Sequence, residues 1–344
     1  MIRLFTLLFL VMTLQASAQT DNVHIIGVGD MMLGTNYPSA NYLPPNDGKD
    51  LLAPVGDILK AADVTFGNLE GTVLNSGGDV KNCSDPSACY AFRMPEKYVA
   101  NLVPAGFDMV SVANNHVNDF GTAGRKNTLR YLQEKGIAAA GLLEKPTATI
   151  ERNGLTYGLA AFAPNTGTVD IRKLENAKKI VSELEKSCDI VIVSFHGGAE
   201  GRKHQHVPCK TEYYYGENRG NVCAFARAVI DAGADIVFGH GPHVTRAVDL
   251  YKDRFIIYSL GNFCTYARFS LRAESGLAPI VDVETKPDGT FVKASITPIL
   301  QEKPGGVQLD PQKRVIGILQ RLTRADFPDS PLEITDEGTI RRKN

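Results

Sequence analysis

A set of side chains able to bind a cation or move a proton falls at one kind of place in this sequence, directly after short β-branched runs. Asp30 follows the first run, Asn68 and Glu70 the second, Asn115 and His116 the third, His196 the fifth, and His240 and His243 the sixth. Taken singly, each has an ordinary explanation, since turns favour Asp and Asn for their own hydrogen bonding and Asp30 or Asn114 would serve as a cap or a left-handed turn. Taken together they do not. Imidazoles, carboxylates and amides gathered in one cleft would repel one another and lack partners, and a bound cation removes that problem. Three imidazoles, two carboxylates and an amide suit Mn, Fe or Zn better than Ca or Mg, which prefer all-oxygen cages. Two such ions about 3.5–4 Å apart stabilise both the attacking and the leaving oxygen of a displacement, which is hydrolytic machinery. His116, next to Asn115, is placed to protonate a leaving group.

Convergence of these residues depends on the elements that carry them. Short runs at Val23 to Val28, Val64 to Phe66, Met109 to Ala113, Leu159 to Phe162, Ile190 to Phe195, Ile236 to Phe238 and Phe255 to Leu260 read as strands. Amphipathic stretches at Val55 to Ala62, Ala123 to Lys135, Leu174 to Lys186 and Val222 to Ala232 read as helices between them. Strict alternation predicts an α/β fold with a parallel or mixed sheet covered by helices on both faces. In such a sheet the carboxyl ends of the strands share one edge, where open α/β folds bind their ligands. After residue 275 the pattern changes to a hairpin around Pro287-Asp288-Gly289, then a helix from about Pro311 to Arg324 and a polar tail. Neither a Pro-rich or Ser-rich linker nor an internal repeat divides the chain. The expectation is one domain over 19–344, with its core at 23–270 and the hairpin and helix added at 275–344.

The chain has 344 residues and a formal charge of −1, with basic residues scattered, so nothing suggests a nucleic-acid surface. Met1-Ile2-Arg3, the apolar run Leu4 to Leu14 and Ala16-Ser17-Ala18 read as a signal peptide over 1–18, cleaved after Ala18, the alternative being an uncleaved N-terminal anchor. The run is too short to span a bilayer, and no later stretch approaches the roughly 18 apolar residues of a transmembrane helix. Export to the periplasm or the exterior permits disulfides among the six cysteines. Cys83 with Cys89 and Cys209 with Cys223 each bracket a short polar loop, and Cys188 with Cys264, in segments that should become neighbouring strands, is a third candidate pair. The alternative for that pair is two buried free thiols. Arg93, in Ala91-Phe92-Arg93-Met94-Pro95, is either a bidentate anion clamp in substrate binding or a surface ion pair. His204 and His206, with Cys209 nearby, lack the spacing of a structural zinc site and read as a solvent-facing or pocket-lining loop. His24 reads as structural.

The blocks Gly29-Asp30-Met31-Met32-Leu33-Gly34, Asn68-Leu69-Glu70-Gly71, Ala113-Asn114-Asn115-His116-Val117-Asn118-Asp119-Phe120-Gly121, His196-Gly197-Gly198-Ala199-Glu200, Gly239-His240-Gly241-Pro242-His243-Val244 and Tyr258-Ser259-Leu260-Gly261-Asn262-Phe263 resemble, in order, those of the bacterial capsule-synthesis (CapA, poly-γ-glutamate) family. The resemblance covers roughly residues 24 to 270. It implies the metallophosphatase-like α/β sandwich, a pair of packed sheets flanked by helices, with a site for two divalent metal ions at the strand ends. Carried over residue by residue, Asp30, Glu70, Asn115, His196, His240 and His243 resemble the metal ligands, Asn68 a further one, and His116 the acid. Two positions depart from the pattern. Metallophosphatases commonly begin Asp-x-His, whereas Met32 stands where that histidine would be, and Gly241 stands where the family often has a second histidine after the first.

Two functions of different kinds follow from the resemblance. One is an exported metal-dependent hydrolase acting on a phosphoester or on the amide bonds of a γ-glutamyl polymer. The other is a non-catalytic assembly factor whose metal site binds an anionic polymer beside the capsule or polyglutamate synthesis machinery. His116 beside Asn115 favours the enzyme, because binding alone has no need of a proton donor. A purely structural interaction protein would have no need of the ligand constellation.

Overall fold

In a computed structural model, residues 22–82 and 89–343 are described. The signal-peptide expectation lies outside them, and so does Cys83 with its expected bridge to Cys89. Among the described residues no helix is long and apolar enough to cross a membrane.

The alternating strands divide between two sheets. The larger has ten strands, with Val23–Met32 near its middle, Val64–Leu69, Met109–Ser111 and Ala138–Ala140 on one side, and the hairpin Leu277–Thr285 and Phe291–Leu300 on the other. The second has six, in the order Val248–Tyr251, Arg254–Ile257, Ile236–His240, Ile190–His196, Leu155–Phe162, Thr147–Arg152. Its four central strands are parallel and the outer two antiparallel. Apolar side chains of both sheets meet in one buried layer, where Phe66 stacks on Phe238 with ring centroids 5.5 Å apart. Gly27 is what lets them meet: a Cβ there would lie 2.4 Å from the Phe238 ring. The outer face of the large sheet is covered by short helices and by Gly121–Glu134, and that of the small sheet by Leu174–Glu185 and Val222–Asp231.

This is the α/β sandwich that the family resemblance implies. Periodicity alone pointed to one sheet covered on both faces, and it is corrected here: strand pattern shows that a face is apolar but not whether a helix or another sheet covers it. The C-terminal hairpin and a helix at Arg314–Asp326 are present as expected. The last segment is not a tail. Leu332–Ile334 and Thr339–Arg342 add two strands to the large sheet and bury Ile340 completely.

Two cysteine expectations are settled. Cys209 and Cys223 form a disulfide that anchors the loop before the helix Val222–Asp231. Cys188 and Cys264 are free thiols, which corrects the third pairing. Their segments belong to different sheets: Cys264 is buried in a strand of the large one, whereas Cys188 precedes a strand of the small one.

Candidate metal centre

The two sheets bring their strand ends to one place. Asp30 is near the end of Val23–Met32, in register with Asn68 on the next strand. His196 and His240 are the last residues of their strands and register partners of each other in the small sheet. His243 lies three residues beyond, at the left-handed φ of 56°. Asp30 bridges the groups: its Oδ1 accepts from Asn68 Nδ2 at 2.8 Å and lies 3.3 Å from His240 Nδ1, and its Oδ2 lies 2.9 Å from His243 Nδ1. Glu70 Oε1 is 3.5 Å from His243 Nε2. Asp30, Glu70 and His243 each offer a donor atom within 4.8 Å of the others, a grouping that can hold an ion.

The electrostatics describe a site short of positive charge. Burial pushes the Glu70 carboxyl well above its ordinary range, with His243 opposing. Burial would likewise raise Asp30, but the adjoining imidazoles of His240 and His243 outweigh it and hold this carboxyl below the usual range. For His243 burial favours the neutral ring, yet the charges of Glu70 and Asp30 prevail and lift it to about 10. His196 is pushed well below its ordinary value by burial, with the Arg219 guanidinium adding to the effect. The pair Glu70 and His243 thus retains protons where a divalent cation would replace them.

Hydrogen-bond accounting tests that fit. Glu70 Oε1, Asn115 Oδ1, both ring nitrogens of His196 and both of His240 are buried without a hydrogen-bond partner. Buried polar groups are nearly always satisfied, and a cluster of exceptions calls for an explanation. These atoms are of types that ligate first-row metals. His240 adjoins the Asp30 carboxylate at 3.3 Å and the His196 ring lies 6.2 Å from that of His243, so nitrogen and oxygen donors share one neighbourhood with Asp30, Glu70 and His243. The residues present fit the group.

His116 is placed differently from the donors around it. Its Nδ1 lies 2.8 Å from Asp119 Oδ2, and its Nε2 faces Glu70 Oε1 at 3.9 Å. Asp119 is fully buried, accepts from the backbone of Phe92 at 2.6 Å and pairs with Lys81 at 2.6 Å. Phe92 packs against the His116 ring, 4.2 Å between centroids. Burial lowers the affinity of this imidazole for its proton, with Asp119 opposing.

Arg93 is tied into its own surroundings. Its Nε donates to Asn36 Oδ1 at 2.7 Å, its Nη1 donates to the Gly77 carbonyl at 2.9 Å, and its guanidinium lies over Phe120. His204 lines a cleft, whereas His206 pairs with Asp326 at 2.6 Å, and neither joins a metal grouping among the described residues. The departure at Gly241 has a steric cause: with φ of 113°, a Cβ would lie 2.9 Å from the backbone of Gly197, so no histidine fits and the chain presents His243 instead. Met32 is buried in the apolar core beneath the large sheet.

Sequence reasoning passed over several residues of this site. Asp119 was legible in the His116-x-x-Asp119 spacing. Arg246 was not: fully buried, it grips Glu212 at 2.8 and 2.9 Å and the carbonyls of Ala199 and His204, fixing the loop after His196. That loop, with Glu200, Arg202, Lys203 and His204, lines a cleft of about 750 Å³ that reaches His243 and Asn262.

Fold and site define an α/β sandwich protein with a buried carboxylate–imidazole cluster at the carboxyl ends of its strands. Residues 24–267 match the family described as bacterial capsule synthesis protein PGA_cap, and the chain belongs to it. It is 28% identical to the PGA biosynthesis protein CapA of Bacillus subtilis (strain 168), over 86% of this chain and 77% of that one. It is also 28% identical to the capsule biosynthesis protein CapA of Bacillus anthracis, over 80% of this chain and 67% of that one. Among solved structures, a purple acid phosphatase, PPD1 from yellow lupin (Lupinus luteus) seeds, aligns with a TM-score of 0.43 and 13% identity, covering 86% of this chain and 55% of that chain.

Proposed function

We propose that this chain is an exported metal-dependent hydrolase serving the synthesis or processing of a capsule or poly-γ-glutamate polymer. One observation carries the reading: Asp30, Glu70 and His243 each offer a donor atom within 4.8 Å of the others, and beside them Glu70 Oε1 and the ring nitrogens of His240, 3.3 Å from Asp30, and of His196 are buried without partners. Asp30, Glu70, Asn115, His196, His240 and His243 would hold two divalent ions, with Asn68 orienting Asp30 or joining as a further ligand. Ions bound there supply Lewis acidity and lower the pKa of water. The chain's own residues do the rest. Asp119 holds His116 through Nδ1, leaving Nε2 to deliver a proton to the departing group. On the wall of the cleft, beside Glu200, stand Lys203 and Arg202, the latter paired with Glu274, and the Lys203 ammonium suits a phosphoester or a polymer of carboxylates. The Cys209–Cys223 disulfide supports an oxidising compartment.

The His116–Asp119 pair favours a hydrolase over a polymer-binding assembly factor, because a buried carboxylate orienting an imidazole serves proton transfer rather than anion binding. Assays of the full chain with Mn, Zn or Fe on generic phosphoesters and γ-glutamyl peptides test this. Turnover of one class supports the enzyme; metal binding without turnover of either supports the assembly factor.

A further inference from the structure

Asn262 sits in the centre without a task. It opens the strand Asn262–Thr265, which runs parallel to the end of Val23–Met32 and pairs Asn262 with Asp30, as Asn68 pairs with Asp30 from the other side. Register partners on neighbouring strands project to the same face, about 4.8 Å apart, so Asn262, Asp30 and Asn68 form one row. The residue is 1% exposed.

Its amide is held in one orientation. Nδ2 donates to the carbonyls of His243 at 3.3 Å, Ser270 at 3.4 Å and Ser275 at 3.0 Å. A flipped amide would set its oxygen against three carbonyl oxygens, so the assignment of nitrogen and oxygen is fixed by the network. Oδ1 is turned away from those carbonyls, is buried and has no partner. The cleft that reaches His243 is lined by Asn262 as well. On the same strand as Asp30, the position where metallophosphatases carry a histidine is Met32, whose side chain belongs to the apolar core.

We propose that Asn262 Oδ1 is a metal ligand on the Asp30–His243 side of the centre, supplying the donor that Met32 does not. The proposal rests on the metal-centre reading above. Exchanging an imidazole for an amide oxygen moves the site toward harder ions, Mn over Zn.

The test compares the full chain with Asn262→Ala after chelation and reloading with Mn²⁺. Affinity is read by competition titration, and the rise in unfolding midpoint on adding Mn²⁺ is read by calorimetry. Loss of the Nδ2 donor lowers the metal-free midpoint whatever the role of Oδ1, so the metal-dependent rise is the informative quantity. The expected result is a smaller rise and at least the roughly 10–100-fold loss of affinity that removal of a ligand's outer partner causes. Parental affinity in Asn262→Ala overturns the assignment and leaves the centre standing. A parent protein that binds none of Mn, Zn or Fe overturns the centre and the assignment with it. Should Asn262→Ala not fold, a crystal structure of the parent soaked in Mn²⁺ decides: Oδ1 coordinating an ion supports the proposal, and Oδ1 beyond coordinating distance overturns it.

Discussion

At the residue scale, Asp30, Glu70 and His243 have donor atoms that converge, whereas His116 has one nitrogen committed to Asp119 and the other facing Glu70. In the proposed hydrolase His116 is the group that delivers a proton. A general acid contributes about 10²–10⁴-fold to rate, so His116→Ala should lower turnover by that order and leave metal content intact. The loss should shrink for nitrophenolate esters, whose leaving group departs without a proton. An equal loss for good and poor leaving groups would assign His116 to binding or structure. The donors were legible in the sequence because each follows a β-branched run. Arg246 was hidden, because nothing in Thr245-Arg246-Ala247 distinguishes a buried guanidinium from a surface one until Glu212 is folded against it.

Among the elements, the loop after His196 lines the cleft that reaches His243. It is fixed at its root by Arg246 and Glu212 and further along by Cys209–Cys223, a bond 14 residues apart in sequence. Closing a loop of this length stabilises a fold by about 3 kcal/mol, so Cys209→Ser should lower the unfolding free energy by that order in oxidised protein. Equal denaturant midpoints for variant and parent would mean that the bond does not form in solution, and mass mapping of non-reduced peptides checks it independently. This bridge was legible as two cysteines around a polar insertion. The pairing of Cys188 with Cys264 failed for want of sheet membership, which no local pattern carries. Strands were found where β-branched runs are continuous, and missed where they are short or charged, as at Thr339–Arg342, whose burial of Ile340 depends on the distant hairpin.

For the whole molecule, the sandwich presents strand ends with chemistry at one edge and stabilising contacts at the other. At the far edge Asp235 precedes the strand that ends in His240, accepting from the backbone of Val191 at 2.8 Å and pairing with Arg254 at 2.9 Å. Burial raises its carboxyl to about 6 despite those partners. The folded state therefore keeps a proton that the unfolded chain has lost between about pH 4 and 6, so this group's contribution falls as pH rises through that window and is level above it. Relative to Asp235→Asn, the parent should lose about 2 kcal/mol between pH 4.5 and 7 in urea unfolding, at 1.36 kcal/mol per pKa unit. A difference independent of pH would contradict the raised value. At the opposite edge the two sheets bring carboxylates and imidazoles together, and the proposed metal centre stands or falls with what those groups bind. Elemental analysis of the purified chain is set against His196→Ala and His240→Ala. Mn, Fe or Zn should be bound to the parent and clearly lost in both variants; unchanged metal content in both would contradict the proposed centre.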